Sequence, residues 1–297
     1  MRVENCFENV AKAVEVFAKL RLNVAMQIVS SKIFNGFLIM AFSISATFAV
    51  EIIAHRGASH DAPENTMAAF KLGYAQKADA VEIDIHLTKD GEIFTIHDYD
   101  TLRVSGISNK IDQTSFEDLR KLEVGQWGQW KGKRFSEKGP GIDEVLALIP
   151  DGKKMFVEIK VRPEILPALD AAFTRSGKKD NQLTIITFHY DTAEAAKKLW
   201  PKKEVYWLVG WKKDKQTGKY PDIDDLIAKA KAAKLDGLNL NSGFPIDKAF
   251  TKKVHSAGLK LYTWTVDDAE VAKKEVAAGV DGITTNRPEW LRKQLKK

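Results

Sequence analysis

Cysteine is almost absent from this 297-residue chain, which has a single one, Cys6, near its N-terminus. One thiol builds no disulfide framework. With Cys6 far from the candidate chemistry below, no thiol is on hand for nucleophilic catalysis, a soft metal or lipid attachment. Long apolar runs are also missing. The longest, Ile33 to Ala46, falls short of the roughly 20 residues a spanning helix needs. A strong charge excess is lacking too: 46 Lys and Arg stand against 40 Asp and Glu, a net charge of +6. The lysines are scattered, with no basic face interleaved with aromatics, which argues against nucleic acid as a partner. The mild excess suits small anionic substrates. No linker or low-complexity stretch marks a second full domain.

The composition that remains, 44% apolar and 29% charged, is that of a globular protein. Its first 49 residues stand apart. Lys32, the short apolar run after it and the small residues of Thr47-Phe48-Ala49 follow the pattern of a secretory signal peptide cleaved after Ala49. The competing reading is a membrane-anchoring helix. Met26 opens a more typical signal than Met1 does, because Glu4, Glu8 and Glu15 lie in the first 25 residues, so Met26 is a candidate start. An amphipathic helix from about Val10 to Leu22 is the other account of that stretch. The expectation is a periplasmic or secreted protein whose body, residues 50–297, keeps no stable membrane anchor. The oligomeric state is left open.

From Val50 onward, short β-branched runs alternate with helical ones. Strands are expected at Glu51–His55, Ala80–His86, Met155–Lys160, Thr184–Phe188, Val205–Val209, Gly237–Asn241, Lys260–Val266 and Gly282–Thr285. Helices are expected between them, several starting on Asn or Asp, the preferred N-caps. Eight such units in about 250 residues predict a (β/α)₈ TIM barrel, with a doubly wound open sheet as runner-up. Asp90-Gly91 signals a hairpin that returns the chain along Glu92–His97, too tightly for a parallel crossover. The long interval after it, about 99–141, predicts an insertion after the second strand. Its Trp127 and Trp130 suit either a lid or buried anchors.

The most informative stretch is Val81 to Asp98. Glu82, Asp84 and His86 alternate with Ile83, Ile85 and Leu87, which puts two carboxylates on one strand face. The hairpin brings His97 back towards their level, as if a metal site had an acid/base at its edge. In a barrel, strand C-terminal ends converge on one mouth. There the first strand leads to His55-Arg56-Gly57, the third carries Glu158 and Lys160, the seventh ends near Trp264 and the eighth leads to Asn286-Arg287. That many ionisable groups at one end favour a site over isolated structural ion pairs, because buried charges must be paired or bound.

These motifs, taken in order, resemble the glycerophosphodiester phosphodiesterase family. His55-Arg56-Gly57 with Pro63-Glu64-Asn65-Thr66 is similar to its opening. Glu82-Ile83-Asp84, His97-Asp98, Glu158-Ile159-Lys160, Trp264-Thr265-Val266 and the segment Ala278 to Thr285 match later motifs. The resemblance implies a barrel with a small insertion and a metal-dependent hydrolysis of glycerophosphodiesters to glycerol 3-phosphate and an alcohol. It implies Glu82, Asp84 and Glu158 as ligands of one divalent cation. An all-oxygen set favours Ca²⁺ or Mg²⁺ and leaves the two undecided. It also implies His55 and His97 as the acid/base pair. Arg56 and Lys160 would hold phosphoryl oxygens, and Trp264 would either wall the glycerol carbons or pack in the core. A lysophospholipase D on the same scaffold is the related alternative, and a non-catalytic phosphate-ligand binder the distant one.

Lesser expectations complete the picture. Asn65 is assigned as a helix N-cap and Glu64 as a metal or dipole partner. Asp98 orients a neighbour, and His86 supports the site from behind. His189 and His255 are assigned to surface or loop. Three positions depart from the family pattern: Val104-Ser105 where paired threonines are common, Thr187-Phe188-His189 where Ser-Phe-Asn or Ser-Phe-Asp is common, and Asn286 in place of a closing Asp.

Overall fold

The computed structural model describes residues 50–296. The expected extension, residues 1–49, with its signal-peptide and Met26 readings, lies outside the described residues. Nine strands form one sheet: β1 (Glu51–Ala54), β2 (Ala80–Leu87), β3 (Ile93–Thr95), β4 (Lys154–Ile159), β5 (Leu183–Thr187), β6 (Glu204–Val209), β7 (Gly237–Asn241), β8 (Lys260–Trp264) and β9 (Gly282–Thr285). Eight run parallel, and β1 pairs with both β9 and β2, which closes the barrel. The TIM barrel is therefore the fold, and the open sheet is excluded. The hairpin strand is antiparallel, as its turn requires. Along β2, β1 pairs only with Ala80 and Val81, at its start. The β2 overhang, Ile85 to Leu87, is covered by β3 on that side.

Period-two alternation sorts side chains between two cores. One set of strand residues, including Ile52, Val81, Ile83, Ile85, Met155 and Val157, packs outward under the helices. The alternate set, Ile53, Ala80, Phe156, Ile186, Tyr206 and Tyr262, fills the barrel interior. Its rings are in contact, with Tyr206 and Tyr262 centroids 4.7 Å apart and Phe156 and Tyr262 5.3 Å apart. The interior face of β2 continues from Ala80 to Glu82, Asp84 and His86, and that of β4 from Phe156 to Glu158. The same alternation that fills the lower barrel with rings thus lifts the carboxylates above them.

The lower mouth is closed by charge. Glu51, Lys154, Glu204 and Lys260 are the first residues of β1, β4, β6 and β8. Lys154 lies 3.2 Å from Glu51 and 3.8 Å from Glu204, and Lys260 is 2.5 Å from Glu204. The Tyr262 hydroxyl donates to Glu51 at 2.8 Å.

Between β3 and the helix Ile142–Ala147 lie short helical turns at Leu102–Ser105, Ile111–Gln113, Phe116–Lys121 and Gly128–Trp130. They carry a small core of their own, built on Phe94, Ile96, Val104, Ile111, Leu119 and Val124. Trp130 is buried and Trp127 packs against this core, with the Arg103 guanidinium 4.8 Å over its ring. The tryptophans are anchors, and the lid alternative falls away. Among the described residues, no helix is long and apolar enough to cross a membrane.

Candidate active site

The upper mouth gathers the chemistry. Asp84 and Glu158 are register partners on adjacent strands, and Glu82 stands two residues below Asp84 on the same face. One oxygen from each of these three buried carboxylates lies within 4.8 Å of the others. Glu82 Oε1 and Asp84 Oδ1 are buried and accept no hydrogen bond. Lys160 stands 3.3 Å from the second of these, and buried oxygens so poorly satisfied are costly in a barrel unless a further cation binds them. An all-carboxylate, closely spaced donor set fits a hard divalent cation.

Electrostatics point the same way. Burial, then Asp84 and Glu158, push the Glu82 carboxyl well above its usual range. Burial and Asp84 raise Glu158 to about 7, against the pull of Lys160. For Asp84, burial is outweighed by Lys160 and Arg56, which hold it down at about 2. Three adjacent carboxylates cannot all ionise cheaply, and a divalent charge among them would remove that conflict.

Two cations flank the trio. Lys160 Nζ lies 2.6 Å from Glu158 Oε1 and 3.3 Å from Asp84 Oδ1. Arg56 Nε is 3.3 Å from Asp84, and its Nη1 donates to Glu64 at 2.9 Å. Local backbone puts it there: Arg56 and Gly57 both have positive φ, and the Arg56 amide donates to Glu82 Oε2 at 2.7 Å. A Cβ on Gly57 would meet the Ala69 carbonyl carbon at 2.5 Å, so position 57 admits only glycine.

The two histidines are each held at Nδ1 by a different partner. His55 Nδ1 lies 2.7 Å from Asn286 Oδ1, an amide oxygen, and His97 Nδ1 lies 2.7 Å from a carboxylate oxygen of Asp98. Desolvation at the barrel mouth, with Arg56 beside it, pushes His55 down to about 4. Partial burial also lowers His97, while Asp84 and Asp98 oppose that shift. His86 Nε2 lies 3.2 Å from the His97 carbonyl, and its ring meets Tyr99 edge-on at 5.0 Å, so it props the returning segment.

A cavity of about 430 Å³ opens on the His97 side of the mouth, lined by His97, Tyr99, Glu158, Lys160, Phe188 and His189 among others. Trp264 meets Phe188 edge-on at 5.3 Å and donates its indole N–H to the Asn239 carbonyl, so it stands behind the wall that Phe188 forms. His189, expected to be a loop residue without a role, lines the mouth, with Nε2 3.2 Å from the Lys160 carbonyl. His255 pairs with Asp281 at 2.9 Å and lines no part of this cavity.

One sequence-level expectation needs correction. The N-cap of Met67–Ala75 is Thr66, whose hydroxyl accepts from the Ala69 amide. Asn65, at positive φ, instead brackets Asp84. Its Nδ2 donates to Asp84 Oδ2 at 2.8 Å, and its Oδ1 accepts from the Asp84 amide at 3.1 Å. Glu64 joins Arg56 to Arg103, which grips it through two nitrogens at 2.7 and 3.1 Å, so both its oxygens are engaged by arginine. Arg103 also donates to Asp98 at 2.7 Å. A residue of the insertion thereby ties the His97 side of the site to the Arg56 side.

The fold and the site together define a barrel phosphodiesterase built around an acidic trio. A sequence profile described as the Glycerophosphoryl diester phosphodiesterase family matches residues 55–290. The glycerophosphodiester phosphodiesterase of Caldanaerobacter subterraneus subsp. tengcongensis is 31% identical over 252 residues, 83% of this chain and 98% of that one. An Oleispira antarctica phosphodiesterase, solved in complex with the product sn-glycerol-3-phosphate, superposes with a TM-score of 0.74 at 25% identity, covering 84% of this chain and 98% of that one. A glycerophosphodiester phosphodiesterase from Thermotoga maritima shares the fold at a TM-score of 0.65 and 24% identity, covering 82% of this chain and 98% of that one. The chain belongs to the glycerophosphoryl diester phosphodiesterase family.

Proposed function

We propose that this enzyme hydrolyses glycerophosphodiesters to glycerol 3-phosphate and an alcohol, outside the cytoplasm after loss of residues 1–49, with one divalent cation, Ca²⁺ or Mg²⁺. The observation that carries this reading is the closely spaced, buried Glu82–Asp84–Glu158 trio, with two oxygens that accept no hydrogen bond, at a barrel mouth shared with two imidazoles held by different partners. Held by these three carboxylates, the cation would supply Lewis-acid stabilisation of the phosphoryl oxygens. Lys160, which lines the cavity, and Arg56 would add charge-assisted hydrogen bonds to the same oxygens.

Acid/base work then falls to the histidines. His55, unprotonated at neutral pH, accepts the proton of the attacking oxygen, whether water or the neighbouring glycerol hydroxyl. His97, lowered by burial but with Asp84 and Asp98 opposing that shift, gives a proton to the leaving alkoxide from its protonated form. Asn65 holds Asp84 in place, and the Arg103–Glu64 pair keeps the Arg56 guanidinium at the trio. The wall of Phe188, backed by Trp264, offers an apolar surface to substrate carbons.

The test is release of glycerol 3-phosphate from glycerophosphocholine by purified protein, with lysophosphatidylcholine run in parallel. Turnover that EDTA abolishes and Ca²⁺ or Mg²⁺ restores is expected. Cleavage of the lysolipid in preference to the deacylated substrate would move the reading to a lysophospholipase D. No turnover of either would overturn it. Mass spectrometry of the exported protein should find Val50 at the N-terminus.

A further inference from the structure

The partner of His55 is itself held by a second residue. Asn286 Oδ1 faces His55 Nδ1 at 2.7 Å and also accepts from the Ser59 hydroxyl at 2.8 Å. On its other side Asn286 donates twice to Asp267, from Nδ2 at 2.5 Å and from its backbone amide at 2.8 Å. The Thr285 hydroxyl donates to the same carboxylate at 2.8 Å. A carboxylate ringed by three donors acts only as an acceptor, which fixes which end of the Asn286 amide faces it. The NH₂ group must point at Asp267, and the carbonyl oxygen is left for His55. A carbonyl oxygen cannot donate, so the proton of that 2.7 Å contact belongs to His55 Nδ1.

We propose that Asp267 and Asn286 are positioning residues for the reaction: Asp267 locks the Asn286 amide, and the amide locks His55 in the tautomer protonated at Nδ1, leaving Nε2 as the basic nitrogen. Where the family commonly closes on an Asp, this chain has Asn286. It carries the carboxylate one side chain further out, on the loop after β8. An amide in contact with His55 fixes the tautomer without placing a full negative charge on the ring, as Asp98 does for His97. The two imidazoles thereby receive different electrostatic settings from partners of the same geometry. This inference rests on the reading of His55 as an acid/base group.

Long-range proton–nitrogen NMR on ¹⁵N-labelled protein at neutral pH reports the tautomer directly, with the His55 signals identified by their loss in His55→Ala. The expected result is a protonated Nδ1 and an unprotonated Nε2 in the wild type. In Asp267→Asn the amide can turn over, so the two tautomers mix and kcat falls by about tenfold, with KM within twofold. The double variant Asp267→Asn/Asn286→Asp puts a carboxylate directly on Nδ1. It should restore the single tautomer and recover most of kcat, which a purely structural defect would not do. A wild-type His55 protonated at Nε2 would overturn the proposal. So would an unchanged kcat in Asp267→Asn, or a folded double variant no better than the single one. A fully active His55→Ala would instead remove the underlying base assignment and leave the tautomer result standing.

Discussion

The two mouths of the barrel carry similar residues to opposite ends. At the lower mouth, Glu51 and Glu204 meet Lys154 and Lys260, two charges of each sign, half-exposed and linked in a chain of ion pairs. At the upper mouth, Glu82, Asp84 and Glu158 crowd together with Arg56 and Lys160, one negative charge too many and almost out of reach of water. The lower set satisfies itself. The upper set leaves two buried carboxylate oxygens without a hydrogen bond, one of them with only the Lys160 ammonium at 3.3 Å, and pushes two carboxyl groups above their usual range. One alternation of strand residues produces both, so what separates structure from function here is charge balance and burial. An imbalance of this kind destabilises the protein alone and makes it a receptor for a cation.

The sharpest way to break that comparison is to neutralise one upper carboxylate. Glu82→Gln should lower turnover of glycerophosphocholine by about a thousandfold or more, the scale of losing a principal electrostatic stabiliser. Metal-free protein should meanwhile melt no lower than wild type, because a like-charge conflict is relieved. A parallel loss of Tm and activity would make Glu82 structural. Next, His97→Ala should reduce kcat by about 10²- to 10⁴-fold with an unchanged unfolding midpoint. Asp98→Asn should cost about tenfold.

The pH dependence of stability separates the ends without touching activity. Glu158 has its folded pKa raised from 4.5 to about 7. The folded protein therefore holds a proton that the unfolded chain has released, and stability falls as pH rises from about 4.5 through 7. At about 1.4 kcal/mol per unit the loss is on the order of 3 kcal/mol. Urea unfolding of EDTA-treated protein across this range should show that slope, and Glu158→Gln should reduce it, leaving the part that the raised Glu82 carboxyl contributes. Glu204 behaves oppositely. Burial is outweighed by Lys260, its folded pKa lies below 4.5, and its contribution disappears only on acidification below that value. The smallest effect belongs to the lower ring: Glu51→Gln should cost about 1 kcal/mol or less and leave turnover within twofold, measured by thermal melting and the same assay.

Much of this was legible in sequence because alternation is a local signal. The period-two pattern of Val81–Leu87 announced two carboxylates on one face, and Asp90-Gly91 announced the return of His97. Eight strand–helix units announced the barrel. What escaped was decided between segments. Asn65 and Thr66 are both cap-formers, and which of them caps the helix depends on Asp84, distant in sequence, claiming the first. Asp267 and Asp268 pose the same ambiguity. Asp268 caps Ala269–Ala278, and Asp267 turns away to Asn286. Arg103 reaches the site through the insertion, where no local pattern points to it, whereas His189 follows a strand end at the mouth and its role went unread because no motif singles it out. The lower ring was invisible for the same reason: each of its members is simply the first residue of a strand.

The central claim is that the Glu82–Asp84–Glu158 trio is built for a divalent cation. Calorimetric titration of Ca²⁺ and of Mg²⁺ into EDTA-treated protein tests it most directly. One site per chain, present in the wild type and lost in Glu82→Gln and Glu158→Gln, is the predicted result. Equal binding by all three proteins, or none by the wild type, would contradict it.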